Sequence, residues 1–298
     1  MITAAFVTVI AAAALANLGG HSSNYAGLIA CTIWFFFCRA LPPRGWRWLI
    51  ASALWISVAI AALVVVQVAL WMPRARGPFA SPNFLGAYAA LMVFLTVMQN
   101  GRNLCTFYAA ANLISIALSQ SRGALLALGA GLVTLFARKR PVLCAGLCLG
   151  LVAGALLIRP DTTNPRTEIW RLAFLGAMQR PLTGWGQSGL VIGGLNQFYS
   201  IPLEWFANAG ILGVLAGGWL LAVAWWRAKN EPAIHAFLAA WFVQGLFLFS
   251  IPATNLLLVT VLAYLSRASL PASGPMIREC HPVDSRPPPH EATTQRPA

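Results

Sequence analysis

Apolar residues run along this chain in long blocks from Met1 to Leu265, separated by short polar breaks rather than alternating with polar residues. A bilayer hydrocarbon core needs roughly 20 helical residues to cross it. Set against that length, the blocks predict spans near 1–18, 24–40, 47–72, 84–99, 103–119, 122–137, 141–158, 201–226, 233–249 and 251–266. The expected fold is therefore all-α: a polytopic transmembrane helix bundle of about ten spans. The first block ends in Ala14-Leu15-Ala16, which resembles a signal-peptidase site, but no basic residue precedes it, and it is read as a span.

One connection breaks the pattern. Residues 159–200 are too many for a simple turn between helices. Within them Thr167 to Gln179 places Ile169, Leu172 and Ala173 on one side at helical spacing, which predicts an amphipathic helix on the membrane surface. Pro181-Leu182-Thr183-Gly184-Trp185-Gly186 follows as a tight turn, whose two glycines also allow close approach of a ligand or a neighbouring helix.

Composition agrees with lipid as the solvent: 59% of the 298 residues are hydrophobic and 9% charged, against roughly 25% charged in a soluble domain. Residues 1–266 form one transmembrane domain by this reading. From Arg267 the chain turns to Pro, Ser, Thr and charge, and 267–298 is expected to be a disordered cytoplasmic tail. Cys31, Cys38, Cys105, Cys144 and Cys148 lie in apolar runs with no CxxC pair and no histidine at ligand spacing, so neither a metal nor a disulfide is expected.

The net charge of +13 would suggest nucleic acid in a soluble protein. Here the cations sit in short loops, where they set topology instead. With the N-terminus inside, Arg39, Arg44, Arg47, Arg102, Arg138 to Arg140, Arg227, Lys229 and Arg267 all fall on the cytoplasmic side. Trp46, Trp48, Trp71, Trp219, Trp225 and Trp226 lie near span ends, as interface anchors do. The same threading gathers three segments on the outer face: Arg74 to Asn83, Ser119 to Arg122, and 159–200. They carry Arg74, Arg76, Arg122, Arg159, Arg166, Arg171 and Arg180, against Asp161, Glu168 and Glu204. Guanidinium forks suit phosphate oxygens, so an arginine-rich pocket at headgroup depth points to a phosphate-bearing lipid. For Arg74, Arg159, Arg171 and Arg180, snorkelling to lipid phosphates is the preferred explanation.

Arg122 stands apart. It lies in Ser119-Gln120-Ser121-Arg122-Gly123 between two apolar runs with almost no loop, at the edge of the hydrocarbon, where a charge is costly and usually functional. Asn83, after Ser81-Pro82, is a candidate helix cap. Glu204 is a carboxylate at the start of a span. Desolvation there favours its protonated form and suits proton transfer, while a helix-dipole role accounts for it as well.

Together these segments resemble the O-antigen ligase and O-antigen polymerase superfamily of bacterial membrane glycosyltransferases. The resemblance rests on GPFASPN (Gly77 to Asn83), SQSRG (Ser119 to Gly123), RTEIWRLAF (Arg166 to Phe174), RPLTGWG (Arg180 to Gly186) and LEWFANAGILG (Leu203 to Gly213), in the family's order. It implies a multi-pass protein of the bacterial inner membrane with a periplasmic active face. The implied reaction is transfer of a glycan from a polyprenyl-diphosphate carrier to an acceptor hydroxyl of lipid A core or a similar lipid or glycan, without metal, cofactor or nucleic acid. Arg122 and Arg166 would hold the diphosphate. Arg76, Asn83, Ser121, Arg171, Gly184, Gly186 and Tyr199 would line the substrate site. Beside family members of about a dozen spans, the resemblance implies either a missing early helix pair or a reading frame that begins late, and loss of a pair leaves the motif loops on one side.

The resemblance breaks at one place: the family's His-Asn pair corresponds here to Tyr199-Ser200, and Asn208 stands where an acidic residue is common. Three readings stay open: Glu204, one turn from Tyr199, supplies the base; the acceptor needs no strong base; or the protein is inactive. A polysaccharide polymerase and a non-catalytic protein that binds the glycan carrier remain as alternatives. A transporter would show inverted repeats and polar residues near the midplane; no repeat is evident, and Gln67, Asn112 and Gln244 are explained by bonds between helices.

Overall fold

The computed structural model describes residues 2–17, 25–70, 72, 74–98, 102–136, 146, 150, 166–186, 189–194, 198–248 and 252–267. Among them are ten α-helices and no strand. They are α1 (Ile2–Asn17), α2 (Tyr25–Ala40), α3 (Pro43–Ala69), α4 (Pro82–Thr96), α5 (Arg102–Ser119), α6 (Arg122–Phe136), α7 (Arg166–Ala177), α8 (Ile201–Arg227), α9 (Pro232–Gly245) and α10 (Pro252–Arg267). The predicted span 141–158 apart from residues 146 and 150, together with Arg159, Asp161 and the tail beyond Arg267, lies outside the described residues.

Every other predicted apolar run is a helix, with ends displaced by a few residues. Local chemistry sets those ends. Pro43 at the first position of α3 and Pro82 at that of α4 give up an amide that a helix start leaves unbonded in any case. Length qualifies the span reading. Pro43–Ala69 and Ile201–Asn230 are long and apolar enough to cross a bilayer, whereas Pro82–Thr96, Asn103–Ser119, Arg122–Phe136 and Ala253–Arg267 are apolar but shorter. Fifteen helical residues rise about 22 Å, less than the ~30 Å hydrocarbon core. Membrane association is the statement these elements support.

The bundle is built from helix pairs: α9 lies along α6 and α4, α5 along α4 and α3, α1 along α8, and α10 along α2. Its main core includes Phe35, Trp46, Leu91, Phe94, Phe237 and Leu262. Trp46, expected at the membrane interface, is 1% exposed and belongs to that core, stacked edge-on to Tyr264. Trp48, two residues on, is 74% exposed and fits the interface expectation. Among the mid-span polar residues, Asn112 donates from Nδ2 to Ser57 Oγ at 3.0 Å, joining α5 to α3 as expected. Gln67 bonds instead to the backbone that follows α3.

The amphipathic helix is present as α7. Ala173 and Ala177 are fully buried against Phe198 and Ala207, with Ile169 packed beside them. Leu172, expected on that side, is 37% exposed, because the inward face follows the i, i+4 row of 169, 173 and 177.

Candidate functional site

The segments singled out in the sequence meet at one end of the bundle, where α4, α6, α7 and α8 begin and α9 ends. Glycine makes the first joint. A Cβ on Gly86 would lie 2.7 Å from Ser119 Oγ and 2.7 Å from Ser121 Cβ, so α4 sits directly against the turn between α5 and α6. Arg74 locks that joint from outside. Its Nε and Nη2 donate to the Ser119 carbonyl at 3.3 and 3.2 Å, and Nη2 also reaches Asn83 Oδ1 at 3.2 Å. The neighbouring Ala75 amide donates to the Leu118 carbonyl at 3.2 Å. Arg74, which the sequence assigns to lipid headgroups, thus binds the free carbonyls at the C-terminal end of α5.

Two expectations change here. The cap of α4 is Ser81, whose Oγ accepts from the Asn83 amide at 3.3 Å, and not Asn83, whose side chain is engaged by Arg74. Gln67 is at the end of α3 and not at a helix-to-helix contact. Its Oε1 accepts from the Arg76 and Gly77 amides at 3.1 and 2.9 Å, while Nε2 donates to the Gly77 carbonyl at 3.0 Å. Gln67 thereby fixes the backbone that carries Arg76, whose side chain is exposed.

Ser121 is buried and its Oγ accepts from the Ala124 amide at 3.4 Å, so it caps α6. Gln120 before it adopts φ 50°, a left-handed conformation uncommon for a residue with a Cβ. That sharp reversal leaves Arg122 as the first residue of α6. Its Nε is buried and has no hydrogen-bond partner among the described residues. A buried N–H on a cation is expensive to leave unbonded, and such groups in native proteins commonly mark a place for an ion or water.

Arg166 opens α7 in the same way. Its Nη1 donates to the Phe247 carbonyl just beyond α9 at 3.1 Å, and its guanidinium carbon lies 5.1 Å from the centre of the Tyr199 ring. Burial holds Arg166 below the ordinary arginine value; the Tyr199 phenol opposes the shift and the charge of Arg122 adds to it. The two arginines are therefore close enough to feel each other. The charges of Arg122 and Arg166 thus act on one another, a field suited to an anion.

Tyr199 is held in position by its neighbours. It has φ 54°, and the residue before it is gripped from both sides: Trp170 Nε1 donates to the Phe198 carbonyl at 2.7 Å, and the Phe198 amide donates to Glu204 Oε1 at 3.3 Å. Glu204 is 7% exposed. One oxygen of the candidate base thus supports the loop that presents Tyr199 to Arg166.

Gly184 and Gly186 form a separate joint. Helix α8 is broken at Gly210 (φ 63°, ψ −158°). The polar groups released there bond to the turn: Trp185 N–H donates to the Ala207 carbonyl at 2.8 Å, Gly186 N–H to that of Asn208 at 2.9 Å, and Ile211 N–H to that of Pro181 at 2.7 Å. The paired glycines serve close approach to a neighbouring helix. Arg180 stacks on Trp185 at 4.3 Å, and Trp185 Nε1 donates to the Gly176 carbonyl at 2.9 Å. Arg171 is exposed and its charge faces Glu168 at 2.6 Å. Among the described residues no group of His, Cys, Asp and Glu side chains is arranged to hold a metal ion.

The backbone hydrogen bonds of Arg74, Gln67 and Trp170 have no local pattern in the sequence that would announce them. The chain matches no known protein family. It is also similar to no curated protein.

Proposed function

We propose that this chain is a multi-pass protein of a bacterial inner membrane that moves a glycan from a polyprenyl-diphosphate carrier to an acceptor hydroxyl at the periplasmic face. The acceptor is lipid A core or, in a polymerase, a second carrier-linked glycan. The observation that carries this reading is the convergence of Arg122 and Arg166, one with a buried N–H that has no partner among the described residues, the other partly desolvated and touching its neighbour's field.

In the proposed step the acceptor oxygen forms a bond to the anomeric carbon. The bond from that carbon to the diphosphate breaks, its electron pair stays on the phosphate oxygen, and the hydroxyl proton passes to a base. Fixed cations beside the leaving diphosphate stabilise charge as it develops, and one such contact is worth roughly 2.7–4 kcal/mol in the transition state. Arg122 and Arg166 fill that role. Tyr199 shapes the pocket beside Arg166, and Glu204 is the candidate base.

A second reading is a protein that binds the carrier without catalysis. It is favoured by Glu204, which is buried and spends Oε1 on the Phe198 amide. Reconstitution in liposomes with polyprenyl-diphosphate-linked glycan and lipid A core separates the two. Transfer by the wild type that disappears in Arg122→Ala supports the enzyme. Carrier binding without transfer, lost in Arg122→Ala, supports the binding protein. Absence of carrier binding rejects both.

A further inference from the structure

At the end of the bundle opposite Arg122 and Arg166, where α3 and α9 begin and α4 and α10 end, a cavity of about 100 Å³ lies among α2, α3, α4, α9 and α10. Its walls include Trp34, Trp46, Ala53, Met98, Leu257 and Tyr264, and they are apolar almost throughout. Its polar groups are few: Thr260 accepts from Trp34 Nε1 at 2.9 Å and donates to the Leu256 carbonyl at 2.7 Å, and beside it stand the Tyr264 hydroxyl and the Trp46 Nε1, the latter without a partner among the described residues. Water needs two or more polar partners to stay in a cavity, and an apolar cavity of roughly 150 Å³ stays dry and takes up a benzene ring instead. A few carbons of a hydrocarbon chain suit this one.

Charge selects the kind of chain. Arg44 and Arg47 flank Trp46 in the first turn of α3, and both are exposed. Arg267 stands one turn beyond Tyr264 in α10, and its Nη1 is buried with no partner among the described residues. Arg227 ends α8 on the same side with Lys229 in the turn after it, and the Arg227 Nε is buried without a partner among the described residues. Against these cations stands Glu231, whose carboxyl is pushed up by burial and so toward its neutral form. An apolar cavity with the buried Arg267 donor one turn beyond its wall at Tyr264 has the two parts needed to hold one lipid by tail and head.

We propose that this cavity is a binding site for an anionic phospholipid, with part of one acyl chain between Trp46, Ala53 and Leu257 and the phosphate at Arg267. The site rests on the membrane placement of the chain, and not on the arginine pair at the other end or on any transferase activity. In the bilayer it fixes α3 to α10 on the side away from the candidate active site.

Native mass spectrometry of the detergent-purified full chain, titrated with phosphatidylglycerol or phosphatidylcholine, tests this directly. Wild type should hold one phosphatidylglycerol about tenfold more tightly than phosphatidylcholine, because both carry the phosphate but only phosphatidylcholine brings a choline cation against the arginines. Arg267→Gln should remove that preference while leaving weak binding of both lipids. Ala53→Phe, which fills the cavity, should abolish tight binding of both. Arg122→Ala should bind phosphatidylglycerol as the wild type does, which separates this site from the proposed carrier site. Equal affinity for the two lipids in the wild type, or an undiminished preference in Arg267→Gln, would overturn the proposal.

Discussion

Gly184 and Asn208 stand backbone to backbone: a Cβ on Gly184 would lie 2.5 Å from the Asn208 carbonyl carbon. The turn at 181–186 fills the break in α8 and replaces the hydrogen bonds that the break removes. A helix interrupted in a membrane protein is tolerated when such partners are supplied.

Gly184→Ala and Gly210→Ala should each be severely destabilising. Both residues have positive φ, 69° and 63°, which costs a residue with a Cβ about 1–3 kcal/mol from backbone strain, and overlap with facing backbone adds to it. Gly123→Ala, where a Cβ meets nothing within 4 Å, is the control. Thermal unfolding in detergent should rank the control close to wild type and both other variants well below it.

Glu204 serves two hypotheses that one pair of substitutions separates. As a loop support it needs only an acceptor for the Phe198 amide, so Glu204→Gln should fold like the wild type and Glu204→Ala should lose about 1–3 kcal/mol. As a base it needs the carboxylate, so Glu204→Gln should lose transfer while keeping its melting temperature. Transfer retained in Glu204→Gln removes the base assignment.

Arg74→Lys should loosen the α5–α6 turn. A lysine carries a point charge and cannot reproduce the fork from Nε and Nη2 to Ser119 and Asn83. Loss of about 1.5–3 kcal/mol is expected for a charge-assisted bond. Hydrogen exchange should then speed up in residues 117–122. Protection equal to wild type there would show that Arg74 does not hold the turn.

Glu231 predicts a pH dependence. Burial raises its carboxyl above the ordinary glutamate value, so the folded state binds this proton more tightly than the unfolded chain does. Its contribution is most favourable below the ordinary carboxylate value and is lost as pH rises through the raised one. Glu231→Gln should therefore be more stable than wild type at neutral pH, with a flatter melting temperature across that interval. A variant less stable than wild type at neutral pH would reverse the sign.

How much of this was legible in the sequence differs by scale. Apolar blocks marked the helices because a bilayer-facing or buried helix must be apolar over its length, and Pro43 and Pro82 marked two starts. The break in α8 was not legible from Gly210, since glycines are common in apolar helices and only the facing Pro181–Gly186 turn makes this one necessary. Arg122 drew attention because a cation at a span edge is costly. Arg74 drew the wrong explanation because its partners are carbonyls of residues 119 and 120, 45 or more positions away. The nearness of Arg122 to Arg166 depended on α9 bringing the Phe247 carbonyl to α7, a contact spanning 81 positions.

The central claim is that Arg122 and Arg166 form one site for a diphosphate. Binding of a polyprenyl diphosphate without glycan to wild type, Arg122→Ala, Arg166→Ala and the double variant, all in lipid nanodiscs, measures it most directly. Each single variant should bind at least about tenfold more weakly, with the two losses not additive because the arginines share one ligand. Wild-type affinity in both single variants would contradict it.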